Sequence, residues 1–147
     1  MNESKRVAEI RQLIESNGGQ VSPADIVDFA RNPKTALHRA FNWDDTTAAE
    51  AWRIEQAKKI LRVSVVMIAR PDNGNMVRVR AFISPCGDGE RGYQYTPKMI
   101  ETVSGRAAIL QAAFAEFEAF RAKYEWLEEL MPLFEAGKKI KQKGKTP

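Results

Sequence analysis

The sequence is poor in the residues that disulfides, zinc sites and membrane spans require. It has one cysteine, Cys86, and one histidine, His38. It can therefore form no disulfide within the chain and cannot supply the four ligands of a Cys/His zinc site. No apolar run reaches the length of about 18 residues that a membrane helix needs, and the polar opening MNESKRVAEI lacks the apolar segment of a secretory signal. We expect a cytoplasmic protein with no cofactor, no metal and no membrane partner.

Catalytic signatures are also missing. The loop PCGDGERG at 85–92 contains glycines but no Gly-Lys-Ser/Thr, so it does not match a phosphate-binding loop. Helix capping explains the acidic pair Asp44-Asp45, and no ligand cluster follows it. No carboxylate pair has a sequence context that favours acid–base chemistry, although residues distant in sequence can still meet in space. We expect that the protein is not an enzyme.

The net charge of +4 is unevenly distributed along the chain. Residues 1–60 are neutral, residues 61–106 carry +3, residues 107–136 carry −4, and residues 137–147 carry +5. The excess therefore comes from a lysine-rich tail, and the high isoelectric point is weak evidence for nucleic-acid binding. The tail sequence GKKIKQKGKTP is polar enough to predict disorder over 137–147.

The first 43 residues predict three short helical segments. The first covers residues 3–17, and the third covers residues 35–41. The second begins where Ser22 is a suitable N-cap and Pro23 suits the first helical position.

Three helices in succession are compatible with a helix-turn-helix unit. In that interpretation Lys34, His38 and Arg39 lie on a DNA-recognition surface. The alternative is a small helical cap whose charges are solvated, because Asp25 and Asp28 balance the basic residues.

A fourth helix is predicted to begin at Asp44-Asp45. Its buried side is expected to carry Ala48, Ala51, Trp52, Ala57, Ile60 and Leu61. We expect Trp43 and Trp52 to be core anchors rather than ligand-stacking residues.

The clearest β pattern is the segment RVSVVMIARPDNGNMVRVRAFIS. Residues 63–70 and 76–84 are rich in β-branched residues, and Asn73-Gly74 is typical of a two-residue hairpin turn. With that pair at the turn centre, Ile68 pairs with Val79 and one face of the hairpin is mostly apolar. Residues 93–95 are a candidate third strand.

The opposite face of this hairpin mixes apolar residues with two arginines. A two-stranded ribbon of this kind can bind nucleic acid, with Phe82 stacking on a base. Alternatively, a helix half-covers the face and the arginines extend past it to water, or they pair with glutamates of the last helix. The residues of this face are Val63, Val65, Met67, Ala69, Arg78, Arg80, Phe82 and Ser84.

From Ser104 to Met131 the apolar residues recur at alternating steps of three and four. This spacing predicts a long amphipathic helix whose stripe is buried against the rest of the chain or a second copy. We expect it to pack against the sheet and fourth helix and to form part of a homodimer contact, and we expect Pro132 to end or bend it. The stripe comprises Leu110, Ala113, Phe117, Phe120, Tyr124, Leu127 and Met131.

The run SPADIVDFARNPKTALHRAFNWDD, then TAAEAWRIEQAKKILR, a β segment and a late FRAKYEWLEEL helix, resembles a family of small uncharacterised proteins encoded by tailed phages and prophages. The resemblance extends roughly from Val21 to Phe134 and rests on the order of residue types. It implies a phage or prophage gene acting in a bacterial cytoplasm. No activity is assigned to that family, so the resemblance implies no site residues.

Together these patterns predict an α+β fold with an N-terminal helical cluster, a central antiparallel hairpin and a long C-terminal amphipathic helix. One domain is expected at 1–136, with a helical subunit at 1–43 and a helix-hairpin-helix body at 44–136.

Two functional hypotheses follow from these sequence patterns. The first is an accessory protein that binds DNA or RNA through Arg78, Arg80, Phe82, Lys34, Arg39, Lys138, Lys139 and Lys141. The second is a homo-oligomer or host-protein interaction module that uses Leu110, Phe117, Phe120, Tyr124 and Leu127.

Overall fold

The computed structural model describes residues 4–44, 47–85 and 92–143. It divides into two compact units, Met1–Arg106 and Ala107–Pro147. The helices and strands confirm the α+β fold class, with a two-stranded hairpin, a further strand pair and a long helix toward the C-terminus. In chain order they are α1 (Lys5–Ser16), α2 (Pro23–Ala30), α3 (Thr47–Val63), β1 (Val65–Ala69), β2 (Met76–Arg80), β3 (Phe82–Ile83), β4 (Gln94–Tyr95), α4 (Thr96–Ile100), α5 (Val103–Tyr124) and α6 (Met131–Lys143).

Side-chain caps set the starts of the first two helices. The Ser4 hydroxyl accepts a hydrogen bond from the Val7 amide at 3.2 Å, ahead of α1. Before α2, the Ser22 hydroxyl accepts from the Asp25 amide, and the Asp25 carboxylate accepts from the Ser22 amide at 2.8 Å. This reciprocal pair is a capping box, and Pro23 follows it at the first helical position, as predicted.

The predicted third helix at 35–41 is wrong. Only His38–Ala40 is helical, as a single 3₁₀ turn. The Thr35 hydroxyl donates to the Asn32 carbonyl at 2.9 Å and accepts from the His38 amide at 3.2 Å, and such local bonds compete with helix formation. The chain therefore has no recognition helix at this position, and the helix-turn-helix interpretation has no support.

A buried arginine joins α3 to the segment that precedes it. Arg53 is 3% exposed, and its guanidinium donates to the backbone carbonyls of Asn42 at 2.8 Å and Asp44 at 2.9 Å. It also donates to Glu50 at 2.9 Å, and Glu50 in turn accepts from Arg31 at 2.8 Å. Because these partners lie on α3 and in the segment before it, this buried charge stabilises one arrangement of the two.

Trp43 packs between these cations and the 3₁₀ turn. The guanidinium carbons of Arg53 and Arg31 lie 5.0 Å and 5.7 Å from the indole centroid. His38 stacks on the indole at 4.9 Å, and the indole N–H donates to the His38 carbonyl at 2.9 Å. The half-buried Trp43 packs against the hydrophobic core, in agreement with its expected role.

The buried side of α3 differs from the predicted one. Ala57 and Leu61 are fully buried and Ile60 is half-buried, whereas Trp52 is 59% exposed. Trp52 is therefore not a core anchor, because the buried position beside it belongs to Arg53. The expected cap at Asp45 lies outside the described residues.

The hairpin has a longer turn than predicted. Its register pairs Ile68 with Val77 and Val66 with Val79, and the Gly74 amide donates to the Arg70 carbonyl at 2.8 Å across a four-residue turn. Gly74 has a φ of 72°, a left-handed conformation that favours glycine. The register is shifted by two residues from the predicted one, so the same side chains still share each face.

A second strand pair contributes Phe82 and Tyr95 to the core of the first unit. β3 pairs with β4, and Phe82 lies opposite Tyr95. Ala81 connects the two ladders, because its amide donates to the Ser64 carbonyl and its carbonyl accepts from the Thr96 amide, each at 2.9 Å. The buried core comprises Val7, Ile10, Ile14, Val21, Ile26, Val27, Ala30, Leu37, Phe41, Ala57, Leu61, Ala81, Phe82, Tyr93 and Tyr95.

The long C-terminal helix ends earlier than predicted. α5 stops at Tyr124, and the Trp126 indole donates to the Lys123 carbonyl at 3.1 Å, which satisfies one carbonyl of its last turn. Leu127 is extended and precedes a 3₁₀ turn at Glu128–Leu130. The predicted stripe therefore belongs to two helices joined by a short connection.

The chain then folds back as α6, which corrects two predictions. Pro132 lies in the first turn of α6, where its missing amide costs little. Residues 137–143 are helical and not disordered, while residues 144–147 lie outside the described residues. Phe134 is 4% exposed, with ring centroids 6.1 Å from Phe117 and 6.0 Å from Phe120.

Replacing Glu50 with glutamine tests the Arg53 network. The hydrogen bonds from Arg31 and then Arg53 lower the pKa of Glu50 below its ordinary value of 4.5. A carboxylate with a depressed pKa stabilises the fold above its unfolded pKa, and this contribution is lost as the pH falls through the folded pKa. We expect Glu50→Gln to lower stability in urea unfolding at pH 7, with a difference that disappears in acid.

The matched control for this experiment is Glu55→Gln. Glu55 lies on the same helix, and its described ion pair is with Lys58, three residues further along the chain. We expect a smaller loss at pH 7. Equal stability of Glu50→Gln and the unaltered protein at pH 7 would contradict the assigned role of Glu50.

Replacing Phe134 with alanine tests the packing of α6 on α5. Removal of a buried phenylalanine ring lowers the free energy of unfolding by about 3 kcal/mol or more. We expect faster amide hydrogen exchange across α5 and α6 in Phe134→Ala. Leu133→Ala is the control, because Leu133 is 48% exposed. If the two variants exchange at the same rate, Phe134 is not the anchor of this unit.

Candidate functional site

The hairpin presents one face on which two neighbouring arginines of β2 lie opposite apolar side chains of β1. Val65 pairs with Arg80, Met67 with Arg78, and Ala69 with Met76, and side chains of paired residues point to the same side. We call these six residues the ribbon face. Arg78 and Arg80 are exposed and stand two residues apart on β2, about 6.7 Å along the strand.

The two ribbon arginines have no anionic partner within the described part of the chain. Arg70, by contrast, makes a bidentate pair with Asp72 at 3.0 Å beside the turn. The guanidinium groups of Arg78 and Arg80 are therefore available for an external anion. Arginine presents several donors in a planar fork that matches phosphate oxygens.

Phe82 does not belong to the ribbon face, which corrects the prediction. A bend at Ala81 separates β2 from β3, and Phe82 points into the core, where it is 0% exposed. Its ring lies 5.9 Å from that of Tyr95. A side chain in this position cannot stack on a base.

Lys34 and Arg39 lie at a second location in the first unit. They line a cleft of about 580 Å³ together with Lys5 and Arg6 from the first turn of α1. We call this the basic cleft. His38 is not part of it, because its ring stacks on Trp43 and its Nδ1 lies 2.8 Å from the Ala30 carbonyl.

The lysines predicted to lie in a tail are part of α6. Arg121 chiefly lowers the pKa of the Glu118 carboxyl, and the charges of Lys141 and Lys138 add to this effect. Lys138 and Lys141 therefore lie near α5, and their charge is partly balanced there. Lys139 follows Lys138 on the helix, about 100° further around its axis.

The residues predicted for oligomerisation are unevenly buried. Phe117 and Tyr124 are half-buried, and Phe120 lies 5.0 Å from Tyr124 by ring centroids. Leu110 is 53% exposed. Leu127 lies beyond the end of α5, so it does not share that helix with the others.

The described residues contain neither a metal-binding cluster nor a helix suited to cross a membrane. No group of three histidine, cysteine, aspartate or glutamate side chains is arranged to hold a metal ion in residues 4–44, 47–85 and 92–143. In the same ranges, no helix combines the length and apolar character that crossing a bilayer requires. Cys86 lies outside the described residues.

Comparison with known proteins gives no relative. No protein family, curated protein or solved structure matches the chain. The resemblance to phage and prophage proteins therefore stays a prediction from the sequence.

Proposed function

We propose that the protein is a non-enzymatic accessory protein that binds nucleic acid. The observation that supports this function best is the ribbon face. Two exposed neighbouring arginines of β2, without described ion-pair partners, lie opposite the apolar Val65 and Met67 of β1 on a regular two-stranded scaffold. Such a surface can contact consecutive phosphates with its cations and the sugar or base edges with its apolar side chains.

The lysines of α6 extend this proposal. Lys138, Lys139 and Lys141 are exposed and follow one another within a single helical turn. Their contribution is phosphate attraction without sequence readout, because each lysine acts as a point charge. The proposed binding is therefore dominated by backbone contacts and depends steeply on salt.

The origin and the site of action belong to the same proposal. The sequence resemblance supports a phage or prophage gene whose product acts in the bacterial cytoplasm. The first unit carries a net charge of +3 and the second carries +1. Locally concentrated cations on a protein of modest net charge suit binding that is weak, sequence-independent and reversible.

Replacing both ribbon arginines tests the proposed function. We expect Arg78→Ala with Arg80→Ala to weaken binding to a labelled random duplex and a single strand about tenfold or more at low salt. The salt dependence of duplex binding should fall by about two counterions, because two phosphate contacts are lost. Fluorescence anisotropy at several salt concentrations measures both quantities.

The control replaces two exposed arginines elsewhere on the chain, Arg62→Ala with Arg106→Ala. This double variant has the same net charge as the ribbon variant. Equal loss in both variants would show that total charge and not the ribbon face determines binding. Absence of binding by the unaltered chain would reject the function.

The contribution of the C-terminal lysines is best measured without truncation. A chain ending at Ala136 would cut α6 in its middle and remove its contact with Phe117 at Gly137. Lys138→Gln, Lys139→Gln and Lys141→Gln in one chain keep the helix and remove the charge.

Self-association is a second candidate function, favoured by a specific observation on α5. None of its side chains is buried, and Leu110 and Phe120 are 53% and 40% exposed. Exposed apolar residues on a helix of this length are typical of a helix-helix contact. A second copy of the chain would cover them, and a host protein is the other partner of the same chemistry.

Leu110→Glu tests self-association. We expect the unaltered chain to run as a dimer in size-exclusion chromatography with light scattering, and the variant to run as a monomer with unchanged helical circular dichroism. Gln111→Glu adds the same charge at the next position and should leave the dimer intact. A monomeric unaltered chain at every concentration contradicts this candidate function.

A further inference from the structure

The basic cleft combines four cations from two distant parts of the sequence. Lys5 and Arg6 come from the first turn of α1, whereas Lys34 precedes the 3₁₀ turn His38–Ala40 and Arg39 lies within it. All four side chains are exposed, and none has a described carboxylate partner. The cavity of about 580 Å³ is within the size range of small-ligand sites.

Glu9, the carboxylate among the described lining residues, is already engaged. Glu9 accepts hydrogen bonds from the Ala36 amide at 2.7 Å and the Leu37 amide at 3.0 Å, one at each carboxylate oxygen. It therefore acts as a support that attaches the Lys34–Arg39 segment to α1. The formal charge of the cleft is +3 even when Glu9 is counted, and concave surfaces of one sign concentrate the opposite charge.

Hydrogen bonds hold the segment that carries two of the cations, Lys34 and Arg39. The Lys34 amide donates to the Asn32 side chain at 3.0 Å, and the Thr35 hydroxyl bonds to residues on both sides of it. Together with Glu9, these bonds fix the backbone that carries Lys34 and Arg39. A fixed backbone lowers the entropy that a ligand must offset on binding.

The lining indicates the chemistry of the ligand. Apart from the charged residues, Ser4 and Thr35 offer hydroxyls, and Pro33 and Ala36 are the apolar members. There is no aromatic ring among the lining residues to stack on a base and no apolar pocket for a hydrocarbon ligand. A single carboxylate would leave most of the positive charge unmatched, whereas a di- or triphosphate group carries several negative charges within a few ångströms.

We propose that the basic cleft binds a polyphosphate group. This group is either the phosphate chain of a free nucleotide or the 5′-triphosphate end of a nucleic-acid strand. The inference goes beyond the proposed ribbon function, because it uses different residues and recognises a terminal group instead of a strand interior. Lys5, Arg6, Lys34 and Arg39 neutralise the phosphate oxygens.

Isothermal titration of the full chain with inorganic tripolyphosphate tests this site. We expect binding that Lys34→Ala with Arg39→Ala weakens at least about tenfold, since two charge-assisted contacts are removed. Lys59→Ala with Arg62→Ala is the control with the same change in charge, on exposed positions of α3. It should bind as the unaltered chain does, and circular dichroism should show that both variants are folded.

Two outcomes of this titration would overturn the proposal. One is absence of tripolyphosphate binding by the unaltered chain. The other is equal weakening in the cleft and control variants, which would make the binding a property of net charge. Arg78→Ala with Arg80→Ala should keep full tripolyphosphate affinity, so failure of the ribbon proposal and failure of this one are distinguishable.

Paired ligands identify the source of the group. ATP is compared with adenosine, and a 5′-triphosphorylated oligonucleotide is compared with the same strand ending in a 5′-hydroxyl. A preference for ATP supports the site and identifies a free nucleotide, and a preference confined to the phosphorylated strand supports it and identifies a strand end. No preference for the phosphorylated member of either pair would overturn the proposal.

Discussion

The first unit depends on the buried Arg53 guanidinium and the groups that accept its hydrogen bonds. Burying a guanidinium is costly unless its donors are paired, and Arg53 meets this condition with two backbone carbonyls and Glu50. Glu50 extends the network to Arg31 at the end of α2, and Trp43 is packed against both arginines. The segment between α2 and α3 is thereby fixed, and this segment carries Lys34 and Arg39.

Local chemistry made several elements predictable from the sequence. Ser22, Pro23 and Asp25 are adjacent in the chain and satisfy backbone groups within one turn, so their pattern fixed the start of α2 correctly. The division of side chains between the two faces of β1 and β2 was also correct, although the turn was not and Phe82 belongs to the core. A four-residue turn and a two-residue turn differ by two residues in register, and the side-chain period of a strand is two.

Several errors arose where hydrogen bonds of individual side chains, which hydrophobic spacing does not register, decided the outcome. Arg53 and Trp52 are neighbours, and hydrophobicity favours burying the tryptophan. The structure buries the arginine, because carbonyls of Asn42 and Asp44 are placed to accept from it. Similarly, the stripe from Leu110 to Met131 has helical spacing throughout, but spacing carries no information on the Trp126 indole that bonds to the last turn of α5. The cleft was missed because its cations come from two parts of the chain that are about thirty residues apart, and the hydrogen bonds of Glu9 to the Ala36 and Leu37 amides join these parts.

The unpaired edges of the hairpin bear on whether copies of this chain aggregate by strand pairing. Within the described residues β1 pairs only with β2, so each strand has one edge whose amides and carbonyls can accept a strand from another molecule. Charged side chains on an edge strand oppose such additions, because stacking strands would bring like charges together. Arg78 and Arg80 stand on β2 in this position. A chain that lost them would expose a short, β-branched ribbon with little charge, and the protein's solubility would then depend on the turn and on the helices around it.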